Sequence, residues 1–283
     1  MRKYISHISA ARMWGIPQID AFLGDASADV HLTFTQLGAR KYKPGQVTHL
    51  CQGDLPNDAI ITHNGVRIAS PELTFLQLAA ELDIQRTILL GLQLCGHAPG
   101  CPGEAVTTKY KLKNFAEKAV GIRGRPNALR ALHYIEGGSA SIMESLVYMV
   151  LCLPYALGGY GLGSPIFNYE IKMKESSDRQ RNPVRCFVDL YYTKEKLGIE
   201  YNSFEFHHSP LSQGRDTLRA SALERQGIEI MNLSTIQLYD QKACENFAIN
   251  LSRRIGKRMQ IKSDKFLPMQ QNLRSLFPRA ERV

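Results

Sequence analysis

The chain alternates between helical and strand periods. Residues 5–15 (ISHISAARMWG) bring Ala10, Ala11 and Trp14 onto or near one face, which predicts a short helix. VHLTF (30–34), VTHLC (47–51) and AIITHNGVRIAS (59–70) alternate at period two and read as strands. Asn64-Gly65 marks a hairpin turn within the third. Ser70-Pro71-Glu72 then opens a helix, with a capping hydroxyl, a proline at the first position and an acid in the first turn. That helix is expected to run through LTFLQLAAEL and on to Leu94.

GHAPGCPGE (96–104) breaks the pattern, and 108–135 is helical in pieces. Gly137-Gly138-Ser139 punctuates again, and Ser139 or Ser141 caps the apolar helix SIMESLVYMVLCLPYAL. Strands are expected at 166–172, 184–192, 196–206 and 228–233, with a helix at about 213–226 stopped by Gly227. Ser234-x-x-Gln237 is a capping box for a last helix reaching about Arg254. The fold class is therefore α/β of the α+β kind. A mixed sheet flanked by helices, its active edge on the two central strands, follows a small α+β, winged-helix-like domain. The expected division is 1–105 for the small domain, 106–138 for a basic helical linker, 139–255 for the sheet domain and 256–283 for a poorly ordered basic tail.

Charge adds a partner. The 283 residues are 44% apolar and carry a net +9. Lys109–Arg130 holds seven Lys/Arg against one acid, and Arg253 onward holds nine against two. Two basic blocks on an otherwise slightly acidic body suit a polyanion, DNA first. The N-terminus lacks a signal-peptide run and no stretch approaches ~20 apolar residues, so a cytoplasmic protein without membrane association is expected. Six scattered cysteines read as reduced thiols. Cys95, His97 and Cys101 have a faint metal pattern without a paired CxxC partner.

The candidate chemistry is acidic. Asp189 interrupts the apolar strand FVDLYY, and Glu200 lies eleven residues on, in GIEYN. Glu144 opens the helix SIMESL, where an acid also serves as an ordinary dipole partner. His207 and His208 follow in FEFHHS, and Asp216 and Arg219 stand three apart in RDTLR, a spacing that a surface pair would share.

Over residues ~125–250 this order resembles the PD-(D/E)xK, or restriction-endonuclease-like, superfamily, in a branch akin to very-short-patch repair endonucleases. The resemblance implies a metal-dependent DNA endonuclease or nickase. Asp189, Glu200 and Glu144 would hold Mg²⁺ or Mn²⁺, and His207 or His208 would act as general base. Lys194 and Lys196 would touch backbone phosphates, Arg219 would pair with a phosphate or with a site acid, and a basic tail with Arg253, Arg254, Lys257 and Arg258 would hold the duplex non-specifically, with Asp216 in support. The chain departs from the pattern at Asn202, where the superfamily has a lysine; an amide cannot take a proton. ISHISAARMWGIP and GVRIASPELTFLQLA resemble the leader of AbiEi-type antitoxins. That likeness implies DNA binding and leaves open a non-catalytic, antitoxin-like regulator with a cognate toxin or defence-system partner.

Overall fold

The computed structural model describes residues 3–23, 27–36, 43–172, 185–202, 219–221 and 223–278. The chain forms two compact units. One takes Met1–Gly96, Glu104–Gly137 and the stretch from Pro278; the other takes His97–Gly103 and Gly138–Phe277.

The first unit is organised around a five-stranded mixed sheet ordered β3-β2-β1-β5-β4. Its strands are β1 (Lys3–Ile5), β2 (Val30–Phe34), β3 (Gln46–Leu50), β4 (Ile60–His63) and β5 (Val66–Ala69). The expected α+β character is present, and the centre is this sheet rather than a hairpin wing. Asn64 (φ +49) and Gly65 (φ +75) make the hairpin turn with both central residues left-handed. Helices α1 (His7–Met13) and α2 (Ile19–Leu23) precede β2. Ala10 and Ala11 are buried, and Trp14 is half-buried with its indole N–H on Ala69 O.

The long helix expected from Pro71 to Leu94 is two helices, α3 (Pro71–Ala79) and α4 (Ile84–Leu94). Ser70 caps the first through the Leu73 N–H at 3.1 Å. Asp83 breaks the run because its carboxylate takes the Arg86 N–H at 2.8 Å and starts a new helix. The segment expected as a linker, 106–138, is largely part of this unit. Helices α5 (Lys109–Lys118) and α6 (Arg125–Leu132) bury Leu112, Phe115, Ala116, Ala128, Ala131 and Leu132, leaving most of the basic residues outside. Gly124 (φ +90) begins α6, where a Cβ would lie 2.2 Å from Leu76 O. Asn127 then donates to the carbonyls of Ala79 and Leu82, both at 3.0 Å, and satisfies the end of α3.

The second unit begins with α7 (Ile142–Cys152), capped by Ser141. A four-stranded sheet follows in the order β6-β7-β8-β9: Ile166–Ile171, Cys186–Tyr192, Leu197–Asn202 and Glu229–Ser234. The first three strands are antiparallel and β9 runs parallel to β8. Helical residues 219–221 and 223–225, ended by Gly227 at φ +68, make the crossover. The Ser234–Gln237 capping box is present. The last helix is split, however, into α8 (Thr235–Tyr239) and α9 (Gln241–Arg254), because Asp240 takes an extended ψ of 121° and caps the second piece. The basic tail also differs from expectation: α10 (Phe266–Arg274) buries Phe266 and Leu273, with Leu276 just beyond. An apolar stripe inside the charged sequence docks that segment.

Candidate functional site

Strands β7 and β8 pair only where Leu190–Tyr192 face Leu197–Ile199. Beyond that they part, while β8 keeps its register with β9 as far as Asn202. Asp189 lies at the parting. Its Oδ2 accepts the Tyr201 N–H at 2.9 Å, so a side chain takes a donor that a ladder carbonyl would otherwise satisfy.

Strand β6 is distorted at the same level. Asn168 sits at φ +43. Phe167 lies against Tyr148 of α7, ring centroids 5.0 Å apart, whereas Tyr169 stacks on Tyr191. Tyr191 shares a buried cluster with Cys186, Val188, Leu223 and Ile228. The two-residue alternation therefore slips at the level of Asn168 and Asp189, which frees both polar side chains from the strict pattern.

The Asn168 amide donates to Gly138 O at 2.9 Å and to Glu144 Oε2 at 2.6 Å. The Glu144 carboxylate also accepts from the Ala140 N–H at 2.9 Å and the Ser141 hydroxyl at 3.1 Å. Part of its role is thus to tie down the start of α7. Burial nevertheless raises its pKa above the usual carboxylate value, and the charge of Asp189 adds to the rise against those hydrogen bonds. Burial likewise raises the pKa of Asp189, opposed by the Tyr201 N–H and by Arg219.

Glu200 has a different neighbour. Arg219 Nη1 donates to its Oε2 at 3.1 Å and Nη2 to its Oε1, forming a two-pronged pair. The same guanidinium reaches Phe187 O at 2.6 Å and Cys186 Sγ at 3.1 Å. The structure thus brings Glu144 and Asp189 within electrostatic reach of each other and holds Glu200 on Arg219. The three acids do not close to ligand distance. Among the described residues, the group of three or more His, Cys, Asp or Glu whose ligating atoms all lie within 4.8 Å is elsewhere, at His7, His31 and His49. Cys95, His97 and Cys101 form no such group.

Asn202, in the place where a lysine was expected, is exposed and donates to Asn232 Oδ1 at 3.2 Å. His207, His208 and Asp216 lie outside the described residues. Lys194 and Lys196 stand exposed in the turn between β7 and β8; Lys196 is left-handed at φ +50 and its Nζ reaches Gln226 O at 3.3 Å. Arg253, Lys257 and Arg258 are exposed, whereas Arg254 pairs with Glu229. The histidine trio escaped the sequence reading because its members are far apart in the chain. The signal it left is a histidine in each of two short alternating strands, VHLTF and VTHLC. The described helices contain none long and apolar enough to cross a membrane. Comparison with family models, curated proteins and solved structures returned no match.

Proposed function

We propose that the second unit is a divalent-cation-dependent DNA nuclease whose metal position is built on Asp189 and Glu144. The observation that carries this reading is the pair itself. Two neighbouring half-buried carboxyls both have raised pKa values, and such a pair is costly until a positive charge joins it. The order α7, three antiparallel strands, crossover helix and parallel strand supports it as well, since that is the order of elements the resemblance implies. Mg²⁺ commonly takes one or two carboxylates and completes its shell with water and substrate phosphates, so Glu144 and Asp189 suffice as protein ligands. When bound, such an ion would polarise the scissile phosphate and the attacking water. Asn168 and the Tyr201 N–H fix the two carboxylates. Arg219 balances Glu200 and also opposes the rise in the Asp189 pKa. A general base would come from His207 or His208.

A second reading is favoured by two observations: Glu200 is neutralised by Arg219, and Asn202 offers no basic group. It is a DNA-holding, antitoxin-like regulator on a nuclease scaffold, with a toxin or defence-system protein as partner. Calorimetry with Mn²⁺ and plasmid nicking in Mg²⁺ or Mn²⁺ separate the two. The nuclease reading expects Mn²⁺ binding and nicking, both lost in Asp189→Ala. Salt-sensitive DNA binding that persists in Asp189→Ala, with no cleavage by the wild type in either metal, selects the second.

A further inference from the structure

In the first unit, β2 and β3 are parallel and in register, with His31 opposite Val47 and Thr33 opposite His49. His31 and His49 are therefore one period-two step apart on the same face of the sheet. Strand β1 leads through Ser6 directly into α1, whose first residue, His7, takes a left-handed φ of +53°. Two contacts hold it there: its N–H donates to Gln77 Oε1 at 3.2 Å, and its Nδ1 lies 3.0 Å from Ser6 Oγ. Three imidazoles from three elements thus meet, two of them buried.

We propose that His7, His31 and His49 form a binding site for a zinc-class divalent ion, independent of the nuclease reading above. His49 Nε2 and His31 Nδ1 face each other at 3.1 Å. Zinc–nitrogen bonds of about 2.0–2.1 Å in a tetrahedral shell put neighbouring ligand atoms roughly 3.3 Å apart, so these two nitrogens already stand near ligand spacing. Imidazole suits Zn²⁺ and its transition-metal neighbours, and not Mg²⁺ or Ca²⁺. The proton that joins the two rings would move to the far nitrogen of one of them. For His49 that nitrogen, Nδ1, lies 4.0 Å from Glu81 Oε1, which gives a carboxylate behind a metal-bound imidazole. His7 stacks flat on His49, centroids 3.5 Å apart and planes within 14°. Its ring must turn out of that stack for Nε2, now 3.6 Å from Glu81, to complete the set. A cleft of about 400 Å³ lined by His7, His49, Gln77, Glu81 and Arg123 gives the ion a route in. It also leaves a coordination position facing solvent, as sites with three protein ligands do.

The test uses the full chain, stripped with a chelator and titrated with Zn²⁺ by calorimetry and with Co²⁺ by visible absorption. The expected result is about one equivalent of Zn²⁺ and the intense visible bands of four-coordinate Co²⁺. His31→Ala and His49→Ala should each weaken Zn²⁺ binding by at least ~100-fold, and Glu81→Gln, which alters a positioning residue, by ~10-fold. Asp189→Ala should leave the intense Co²⁺ bands unchanged, so failure here is distinct from failure at the acidic site. Circular dichroism and metal-free melting identify any variant that does not fold. If a histidine variant does not, Glu81→Gln decides alone. Wild-type protein lacking the Co²⁺ bands, or a folded His49→Ala (or Glu81→Gln, if it decides alone) that binds Zn²⁺ like wild type, overturns the proposal.

Discussion

Asp189 takes the backbone N–H of Tyr201 at 2.9 Å, beyond the point where the β7–β8 ladder has ended. The bond does two things. It satisfies a donor left by the parting strands, and it anchors a carboxylate at the parting, beside the residue that follows Glu200. Pairing is given up there so that a charged group can be held in a fixed place.

Without metal, the raised pKa values of Asp189 and Glu144 predict a pH effect on stability. Folded protein binds these protons more tightly than unfolded protein does. Their contribution is therefore most favourable below the unfolded carboxylate range and is lost as pH rises through the raised folded values. Asp189→Asn keeps an acceptor for Tyr201 and removes the charge. It should melt higher than wild type at pH 7, with the gap closing towards pH 4; roughly 2–4 °C is expected for each kcal/mol gained. Thermal melts across that range in chelator check it, and a lower melting point for Asp189→Asn at pH 7 counts against a buried charged pair.

Arg219 should prove structural whether or not the protein cuts DNA. Arg219→Ala strands Glu200 and withdraws bonds from Phe187 O and Cys186 Sγ. Because both partners keep some solvent exposure, the expected loss is about 1–3 kcal/mol, short of that for a fully buried pair. Urea unfolding measures it. The double variant Arg219→Ala/Glu200→Gln should recover part of the loss.

Local chemistry made much of this fold legible. Asn64-Gly65, Ser70, Ser141 and the Ser234–Gln237 box all act through groups within four residues, and each has the expected role. The breaks at Asp83 and Asp240 were hidden because the apolar period runs on through both, and only the capping bonds reveal that the chain restarts. Helix α5 was expected as a helical piece, but its narrow buried stripe, and with it its place in the first unit, was masked by lysines; α10 was hidden inside a tail read by its overall charge. At the site, Asp189 announced itself as an acid in an apolar strand. Of the two partners expected for Arg219, a phosphate or a site acid, the structure shows the acid, Glu200. The meeting of three distant histidines depends on strand register, which no local pattern encodes.

Gly198 offers a test of packing next to the acids. A Cβ there would lie 2.5 Å from Ile230 Cδ1 and 2.6 Å from Val188 Cγ1. Gly198→Ala should cost about 1–3 kcal/mol through overpacking, read as a lowered denaturation midpoint with an unchanged slope. An Ala variant as stable as wild type would show that β7 and β9 can spread.

If the exposed cations near the end of α9 hold a nucleic-acid backbone, Lys257→Ala/Arg258→Ala should weaken binding to all duplexes alike. The slope of log affinity against log salt should fall by roughly 0.9 for each contact removed. Fluorescence anisotropy between low and moderate salt measures this, and an unchanged slope excludes these two side chains from the contact.

The docking of α10 changes how that region can be manipulated. Phe266 packs edge-on to Tyr155 and against Tyr160, and the backbone at Gly158 lies so near Gln270 that a Cβ would sit 2.5 Å from its nitrogen. Truncating the chain after Arg254 would strip a wall from the second unit and open a greasy socket to water. Shortened versions are therefore expected to precipitate, and any loss of DNA affinity in them would report collapse instead of missing charge. The positive end has to be silenced residue by residue, with its helix left in place.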